Sequence, residues 1–163
     1  MATYNVTGVG GTTGHPSNGR IPYLVENTID VSAVNGDAGA AQNDVLQCID
    51  IPAETVILHA GVEVLTACSS SVVLDVGITG STAGFSDPDA FVDAYDATGA
   101  AYAPRDVADA APVLTCKVAE TLDVLVAGAA SSAGKIRVFA ILCDVSGLDE
   151  DDNNTSTQND TAV

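Results

Sequence analysis

The chain has 163 residues, and its 22 acidic residues outnumber the five basic ones to give a formal charge of −17 at pH 7. Nucleic-acid binding depends on Lys and Arg side chains that neutralise phosphates, so we expect no nucleic-acid partner and repulsion from anionic membranes. No apolar run approaches the roughly 18 residues of a membrane span, and nothing at the N-terminus resembles a signal peptide. The length predicts one domain, and the Val-rich, aromatic-poor composition favours β-sheets.

The predicted elements begin with an extended N-terminal arm, residues 1–20, which is rich in Gly, Thr and Asn. The domain is predicted over residues 21–146, because the apolar character of the chain begins at Ile21. Its strands are predicted at Tyr23–Ser32, Asp44–Ile51, Ile57–Cys68, Val72–Thr79, Val113–Val118, Thr121–Val126 and Lys135–Val145. An acidic tail, residues 147–163, follows the domain and has too little apolar surface to fold alone.

Alternation of apolar and polar residues is clearest in two of these strands. One face of Val72–Thr79 is entirely apolar, and the other mixes Val, Asp, Gly and Thr. The last strand places four apolar residues on one face and Arg137, Phe139 and Ile141 on the other. Its later residues are apolar on both faces, which indicates a central strand or one covered by a neighbouring subunit. Gly61 predicts either a bulge in its strand or a break between two strands.

Residues 80–112 are predicted to form a long, acidic connection on the surface. The residues 86–89, Ser-Asp-Pro-Asp, resemble a helix start with an acidic cap and Pro in the first turn. This pattern predicts one helical turn over Ala90–Ala94. The series of short strands without an amphipathic helix predicts an all-β fold, an antiparallel β-sandwich or jelly roll with an extended N-terminal arm and an acidic C-terminal tail.

The sequence offers no recognisable catalytic or cofactor site, so we predict no enzyme activity, no cofactor and no metal. His15 and His59 are not accompanied by a Gly-x-Ser-x-Gly elbow. The four cysteines are widely separated, and we expect them to be reduced and buried. Acidic clusters at 87–96 and 149–153 lack the spacing of an EF-hand loop. A solvated acidic surface is the prediction, and a bound Ca²⁺ or Mg²⁺ is the alternative.

Three stretches of the chain carry a resemblance to known proteins. They are DVLQCIDIPAETVILHAGVEVLTACSSSVVLDVGIT at 44–79, DPDAFVDAYD at 87–96 and SAGKIRVFAILCDV at 132–145. Their order resembles that of small structural proteins of tailed bacteriophages, which share a strand ending in ID(I/V)PA, a TLDLGI-like strand, a DPDxFVDG-like segment and a final AGKIRVFA-like strand. Ala94 and Tyr95 stand where the family segment more often turns through Gly.

The resemblance implies a capsid decoration (cement) protein, and the acidic composition fits a phage of aquatic bacteria such as a cyanophage. It implies a homotrimer, made in the host cytoplasm, that binds the major capsid protein lattice on the outer surface of the virion. The arm and the tail would then be attachment segments. The candidate interface residues are Tyr4, Arg20, Tyr23, Phe91, Tyr95, Tyr102, Arg105, Phe139 and Ile141.

Two alternatives to the decoration protein stay open at this point. One is a head-fibre, collar or tail protein of the virion, which would share the resemblance. The other is a free-standing β-sandwich binding module, with or without Ca²⁺, and the missing signal peptide and the few aromatic residues weigh against it. For Phe139 and Ile141, a place in the core is as consistent with the sequence as a place in an interface.

Overall fold

The computed structural model describes residues 21–69, 71–80, 86–100, 102–103 and 113–146. All of these ranges fall within the predicted domain, 21–146. The predicted arm, 1–20, and the predicted tail, 147–163, lie outside the described residues.

Short β-strands make up most of the described residues. They are β1 (Tyr23–Asp30), β2 (Val45–Ile51), β3 (Thr55–Thr66), β4 (Val73–Ile78), β5 (Asp87–Asp96), β6 (Tyr102–Ala103), β7 (Leu114–Cys116), β8 (Glu120–Ala127) and β9 (Lys135–Asp144). A 3-10 turn (Val31–Ala33) and a short helical segment, α1 (Val34–Asp37), follow β1. Every predicted strand is present, with its ends shifted by no more than two residues.

The strands pair in a nested order that defines the fold. The first sheet has the order β1-β9-β3-β6, with β7 also paired to β3, and the second sheet has the order β2-β8-β4-β5. All pairs of described strands are antiparallel: β1 with β9, β2 with β8, β3 with β6, β7 and β9, and β4 with β5 and β8. A chain folded back on itself in this way across two sheets has jelly-roll topology. The all-β prediction is therefore confirmed.

The core lies between the two sheets and consists of aliphatic side chains. On β9, Ile136, Val138 and Ala140 are fully buried, and Leu122 and Val124 face them from β8, also fully buried. Because side chains alternate along a strand, these residues form the inner face of each sheet. Full burial of one such Ile, Leu or Val side chain contributes about 1.5–3 kcal/mol to stability. The face of the last strand predicted to be entirely apolar is thus its core face.

The helical turn predicted at Ala90–Ala94 is wrong, because these residues belong to strand β5. Phe91 and Val92 are each only 2% exposed, and burying both side chains outweighs a helix-start signal worth about 1 kcal/mol. Pro88 is tolerated because β5 pairs with β4 alone within the described residues. Residues 80–112 therefore supply two strands, β5 and β6, and are not only a surface connection.

Gly61 lies inside β3 without interrupting it, so the predicted break is wrong. The irregularities in the pairing of β3 with β9 lie between Ile57 and His59 and between Val64 and Thr66, and Gly61 itself is in register with Phe139. Gly61 has no side chain, so it leaves space beside Phe139 on the side of the sheet away from the core.

Ala94 has the backbone conformation that the resemblance to phage proteins associates with Gly. Its φ is +49°, in the left-handed region that costs an L-residue about 1–2 kcal/mol. Its side chain is exposed, so removing the Cβ forfeits little packing. We expect Ala94→Gly to raise the free energy of unfolding by about 0.5–1 kcal/mol, measured by urea unfolding followed by far-ultraviolet circular dichroism.

Ala38 provides the matched control for this substitution. It is exposed and has a φ of −83°, so Ala38→Gly is expected to lower the free energy of unfolding by about 0.5 kcal/mol through the added freedom of the unfolded chain. A loss of stability in both variants would contradict the strain at Ala94.

Candidate interface on the outer face of the first sheet

Strand β9 lies at the centre of the first sheet, and its outward side chains form the middle column of the candidate site. β1 pairs with one edge of β9 and β3 with the other. The outward side chains lie in three rows across the sheet. In the order β1, β9, β3 they are Leu24, Ile141 and His59; then Glu26, Phe139 and Gly61; then Thr28, Arg137 and Glu63. We call this surface the outer face.

The outer face contains a shallow apolar depression. Its volume is about 290 Å³, and it is lined by Leu24, Glu26, His59, Arg137, Phe139 and Ile141. Leu24 is 62% exposed, and Ile141 is half-buried. Exposed aliphatic side chains grouped around a depression are typical of a surface that another protein covers.

Phe139 forms the floor of this depression. Its ring centroid lies 5.8 Å from that of His59, with the two rings inclined at 45°. In the same row, Gly61 has no side chain, which leaves room for the aromatic ring against the sheet. Phe139 is consequently 9% exposed, although it points away from the core between the sheets.

Arg137 lies between two carboxylates at the far side of the depression. Its guanidinium forms an ion pair with Glu63, and its Nη1 lies 3.9 Å from Oε2 of Glu26. These side chains are 27–53% exposed, so each pair contributes about 0–1 kcal/mol to stability. The guanidinium of Arg137 also offsets the negative charges of Glu26 and Glu63, which lie beside the apolar residues of the depression.

The second sheet has an acidic outer surface. Asp50 on β2, Asp75 on β4 and Asp93 on β5 all lie on strands of this sheet. Of the basic residues in the described ranges, two lie on β9 in the first sheet and the third lies between β7 and β8. The domain is thus two-sided, with an apolar and nearly charge-balanced face on one sheet and an acidic face on the other.

On the acidic second sheet, the pKa of one carboxyl group, that of Asp75, is shifted. Burial raises the pKa of Asp75 above its ordinary value of 3.8, and the neighbouring charges of Asp93 and Asp89 raise it further. The N–H of Ala94 donates to Oδ1 of Asp75 at 2.7 Å and opposes this rise. A carboxyl whose pKa is raised on folding is destabilising while it is ionised.

We expect Asp75→Asn to stabilise the domain at pH 7 and to lose that advantage in acid. As the pH falls through the raised pKa, the folded wild type takes up a proton before the unfolded chain does, so its stability rises towards that of the variant. The wild type has gained all of this stability once the pH is below 3.8, the ordinary pKa of an Asp carboxyl group. Thermal unfolding of both proteins between pH 7 and pH 4 measures the difference. Asp50→Asn, which removes an exposed charge from the same sheet, controls for the loss of one negative charge at pH 7.

The structure separates the predicted interface residues into two groups. Phe139 and Ile141 lie together on the outer face, whereas Tyr23, 41% exposed at the start of β1, is paired with Leu142 and falls on the opposite face of the first sheet. Phe91, however, is in the core, and Tyr95 packs against the core from the second sheet. These two aromatic residues are therefore not on the outer face.

The remaining predicted interface residues cannot be placed on either face. Tyr4, Arg20 and Arg105 lie outside the described residues, and for Tyr102 only the backbone of β6 is described.

Leu24, Glu26 and His59 belong to the outer face but were not predicted. The alternation in YLVENTID carries a signal for Leu24, since it falls on the same face as Glu26. The alternation alone does not show which residues lie beside Leu24. The pairing of β1 with β9, which come from the two ends of the domain, places Leu24 next to Ile141.

The cysteines and acidic residues show no metal chemistry in the described ranges. All four cysteines are free; three of them are buried as predicted, whereas Cys143 is only half-buried. Burial raises the pKa of the Cys48 thiol to about 12. Within the described residues, no three His, Cys, Asp or Glu side chains are grouped so that they could hold a metal ion. The predicted cluster at 149–153 lies outside them. No described helix is long and apolar enough to cross a membrane.

Comparison with known proteins identifies the fold through solved structures. No family model matches the sequence, and no curated protein matches it either. A chain in the capsid of Ralstonia phage GP4 is similar with a TM-score of 0.61 and 16% identity, over 76% of this chain and 84% of that chain. A chain in the cyanophage Pam1 capsid asymmetric unit is similar with a TM-score of 0.57 and 15% identity, over 76% and 84%.

A chain in the acidic stable capsid structure of Helicobacter pylori bacteriophage KHP30 has a TM-score of 0.53 and 14% identity, over 77% of this chain and 90% of that chain. At such identities the likeness establishes a shared fold. The resemblance to phage structural proteins that the sequence predicted is therefore confirmed for the fold.

Proposed function

We propose that the chain is a structural protein of a phage virion, and specifically a capsid decoration protein that binds the outer surface of the major capsid protein lattice. The observation that carries the proposal is the two-sided surface of the domain. A decoration protein needs one face that adheres to the shell and another that is compatible with water. The outer face of the first sheet suits adhesion, and the acidic second sheet suits solvent.

The charge distribution supports the same orientation. On the outer face, Arg137 offsets the charges of Glu26 and Glu63, so covering this face leaves little unpaired charge to desolvate. Covering the second sheet would bury Asp50, Asp75 and Asp93 without a described basic partner nearby. A partner therefore loses less free energy by contacting the first sheet.

The fold likeness supports placement in a virion, since the three similar chains come from phage capsid structures. Jelly rolls are common in viral capsid proteins and also in lectins, so the fold by itself leaves the function open. The apolar depression on the outer face supports an assembly role for this fold.

The proposed mechanism is mechanical. A specific protein–protein interface buries about 1,200–2,000 Å², and each copy adds such an area that must be separated before the shell can open. Repetition over a lattice lets modest individual contacts hold firmly, because neighbouring copies act together. A homotrimer would strengthen this further by placing three outer faces on the shell at once.

The test is the copy number and position of the chain in purified virions of the phage that encodes it. Quantitative mass spectrometry is expected to give a number of copies comparable with that of the major capsid protein, and cryo-electron microscopy should place the first sheet against the shell. A few copies per particle would refute the decoration role and favour a head-fibre or tail protein. Absence from the virion would refute the structural role altogether.

A further inference from the structure

The outer edge of β1 is an unusual edge strand. β1 has eight residues in continuous register with β9, and no described strand pairs with its other edge. Every residue of β1 is at least partly exposed, and two apolar ones, Tyr23 and Leu24, are 41% and 62% exposed. Every second residue of such a strand directs its N–H and C=O groups away from the neighbour it already has.

The other edges of the two sheets are protected in ways that β1 is not. β2 has a register shift between Gln47 and Ile49, and β5 contains Pro88 and two register shifts. β6 and β7 have only two and three residues. Bulges, prolines and short length are the usual means of preventing strand addition at an edge. A long, regular and partly apolar edge is the kind that accepts an added strand.

Strand β9 indicates what kind of strand fits against β1. On the outer face, β9 places apolar Ile141 opposite Leu24 and basic Lys135 opposite Asp30, and the guanidinium of Arg137 lies near Glu26. Cross-strand pairs of apolar residues and of opposite charges are favourable, and like charges directly opposite are not. A strand on the free edge meets the same three side chains of β1 from the other side.

A second copy of this chain fits that edge poorly. Each copy carries a formal charge of −17, and β1 itself contributes Glu26 and Asp30 but no basic residue. Antiparallel pairing of two β1 strands would bring these carboxylates together without a base between them. The charge pattern favours a partner with the opposite sign.

We propose that the free edge of β1 accepts an extended segment of another protein, with an apolar side chain at the level of Leu24 and Lys or Arg side chains at the levels of Glu26 and Asp30. This inference rests on the proposed function in so far as the partner would then be the capsid protein. It adds a specific mode of contact, main-chain hydrogen bonds to β1, to the side-chain contacts of the outer face.

The test uses two synthetic peptides with acetylated and amidated ends and the isotope-labelled full-length chain. The peptide KVTTKVLT places Lys opposite Asp30 and Glu26 in antiparallel register, and EVTTEVLT replaces both lysines. At low salt we expect KVTTKVLT to bind with a dissociation constant below about 1 mM, about tenfold more tightly than EVTTEVLT. In nuclear magnetic resonance, alternate amides of β1 should shift and gain protection from hydrogen exchange.

Two charge reversals on edge strands separate the proposal from general attraction between opposite charges. Glu26→Lys should abolish most of the preference between the peptides, because the level of Asp30 still favours Lys whereas the reversed charge at position 26 favours Glu, and it leaves Arg137 paired with Glu63. Asp50→Lys makes the same charge change at an exposed position of β2, on the other sheet, and should leave both the preference and the β1 shifts intact. Equal effects of the two variants would overturn the proposal.

Other occupants of the edge give different results, each of which would overturn the proposal. Protection of β1 amides in the free chain that disappears on deletion of residues 1–20 would show that the chain's own N-terminal segment occupies the edge. Protection that increases with protein concentration would show a second copy. Absence of binding by KVTTKVLT would overturn strand addition itself. None of these results depends on virions, so the decoration role can fail or stand separately.

Discussion

Replacing Gly77 by Ala is expected to lower the free energy of unfolding by about 3 kcal/mol. Gly77 lies on β4 where the backbone of β5 passes close by: a Cβ on Gly77 would lie 2.5 Å from the carbonyl carbon of Pro88 and closer still to the carbonyl oxygen of Asp87. Both obstacles are backbone atoms, so no side-chain rotation can relieve the clash. Over-packing of this kind typically costs about 1–3 kcal/mol and sometimes more.

Urea unfolding measured by circular dichroism gives the magnitude, and hydrogen exchange gives the location. The amides of β5 should lose protection in Gly77→Ala before those of β3 and β9, because β5 pairs with β4 alone within the described residues. Gly99→Ala is the matched control, since a Cβ at Gly99 meets nothing within 4 Å. It should change stability by less than about 0.5 kcal/mol. Equal stability of both variants would contradict the close approach of β5 to Gly77.

Replacing Leu24 by Asp is expected to weaken attachment to the capsid by at least about 30-fold while leaving the domain folded. Leu24 is 62% exposed, so the substitution costs the core little. In the assembled state, however, it would place an unpaired carboxylate in the apolar part of the interface. A hot-spot residue near the centre of an interface contributes about 2 kcal/mol or more, which corresponds to about 30-fold in affinity.

Attachment is measured by co-sedimentation of the labelled chain with particles from which the native copies have been stripped. Val45→Asp provides the control, because Val45 is 42% exposed on β2 and the variant has the same net charge as Leu24→Asp. Its attachment should remain within about twofold of the wild type. If Val45→Asp weakens attachment as much as Leu24→Asp does, then net charge, and not the outer face, governs binding.

The strands of this protein could be predicted from sequence because their periodicity is strong. The two-residue alternation in β9 separated the four buried core residues from the other face, on which Phe139 alone is buried. The number of strands and the absence of amphipathic helices were enough for the all-β class. Local periodicity works here because each strand has one face in the core, so every second position must be apolar.

The segment at β5 shows where local reasoning fails. Pro88 after Asp87 is a valid helix-start signal, but a helix there would leave Phe91 and Val92 without the cover that β4 and the core provide. Their burial depends on residues of β4, which the local pattern does not include. The free energy of tertiary packing thus decided the conformation against the local preference.

The candidate interface was only partly predictable for the same reason. Phe139 and Ile141 could be selected because they are apolar on a face that alternation marks as outward. Leu24 and His59 could not be selected from the sequence, because they lie beside Ile141 only when β1 and β3 pair with opposite edges of β9. The aromatic residues Phe91 and Tyr95 were selected by type, and the fold uses them in or against the core.

The sequence by itself determined the β class, the core faces of β4 and β9 and the strongly acidic character, because these depend on composition and on spacing within a strand. Only the tertiary structure decided which strands are neighbours, which edge is left open and which side of the domain is acidic. Those properties arise from pairings between residues far apart in the chain, such as Tyr23 with Leu142, and no local pattern specifies them. The two-sided surface on which the proposed function rests is a product of that pairing.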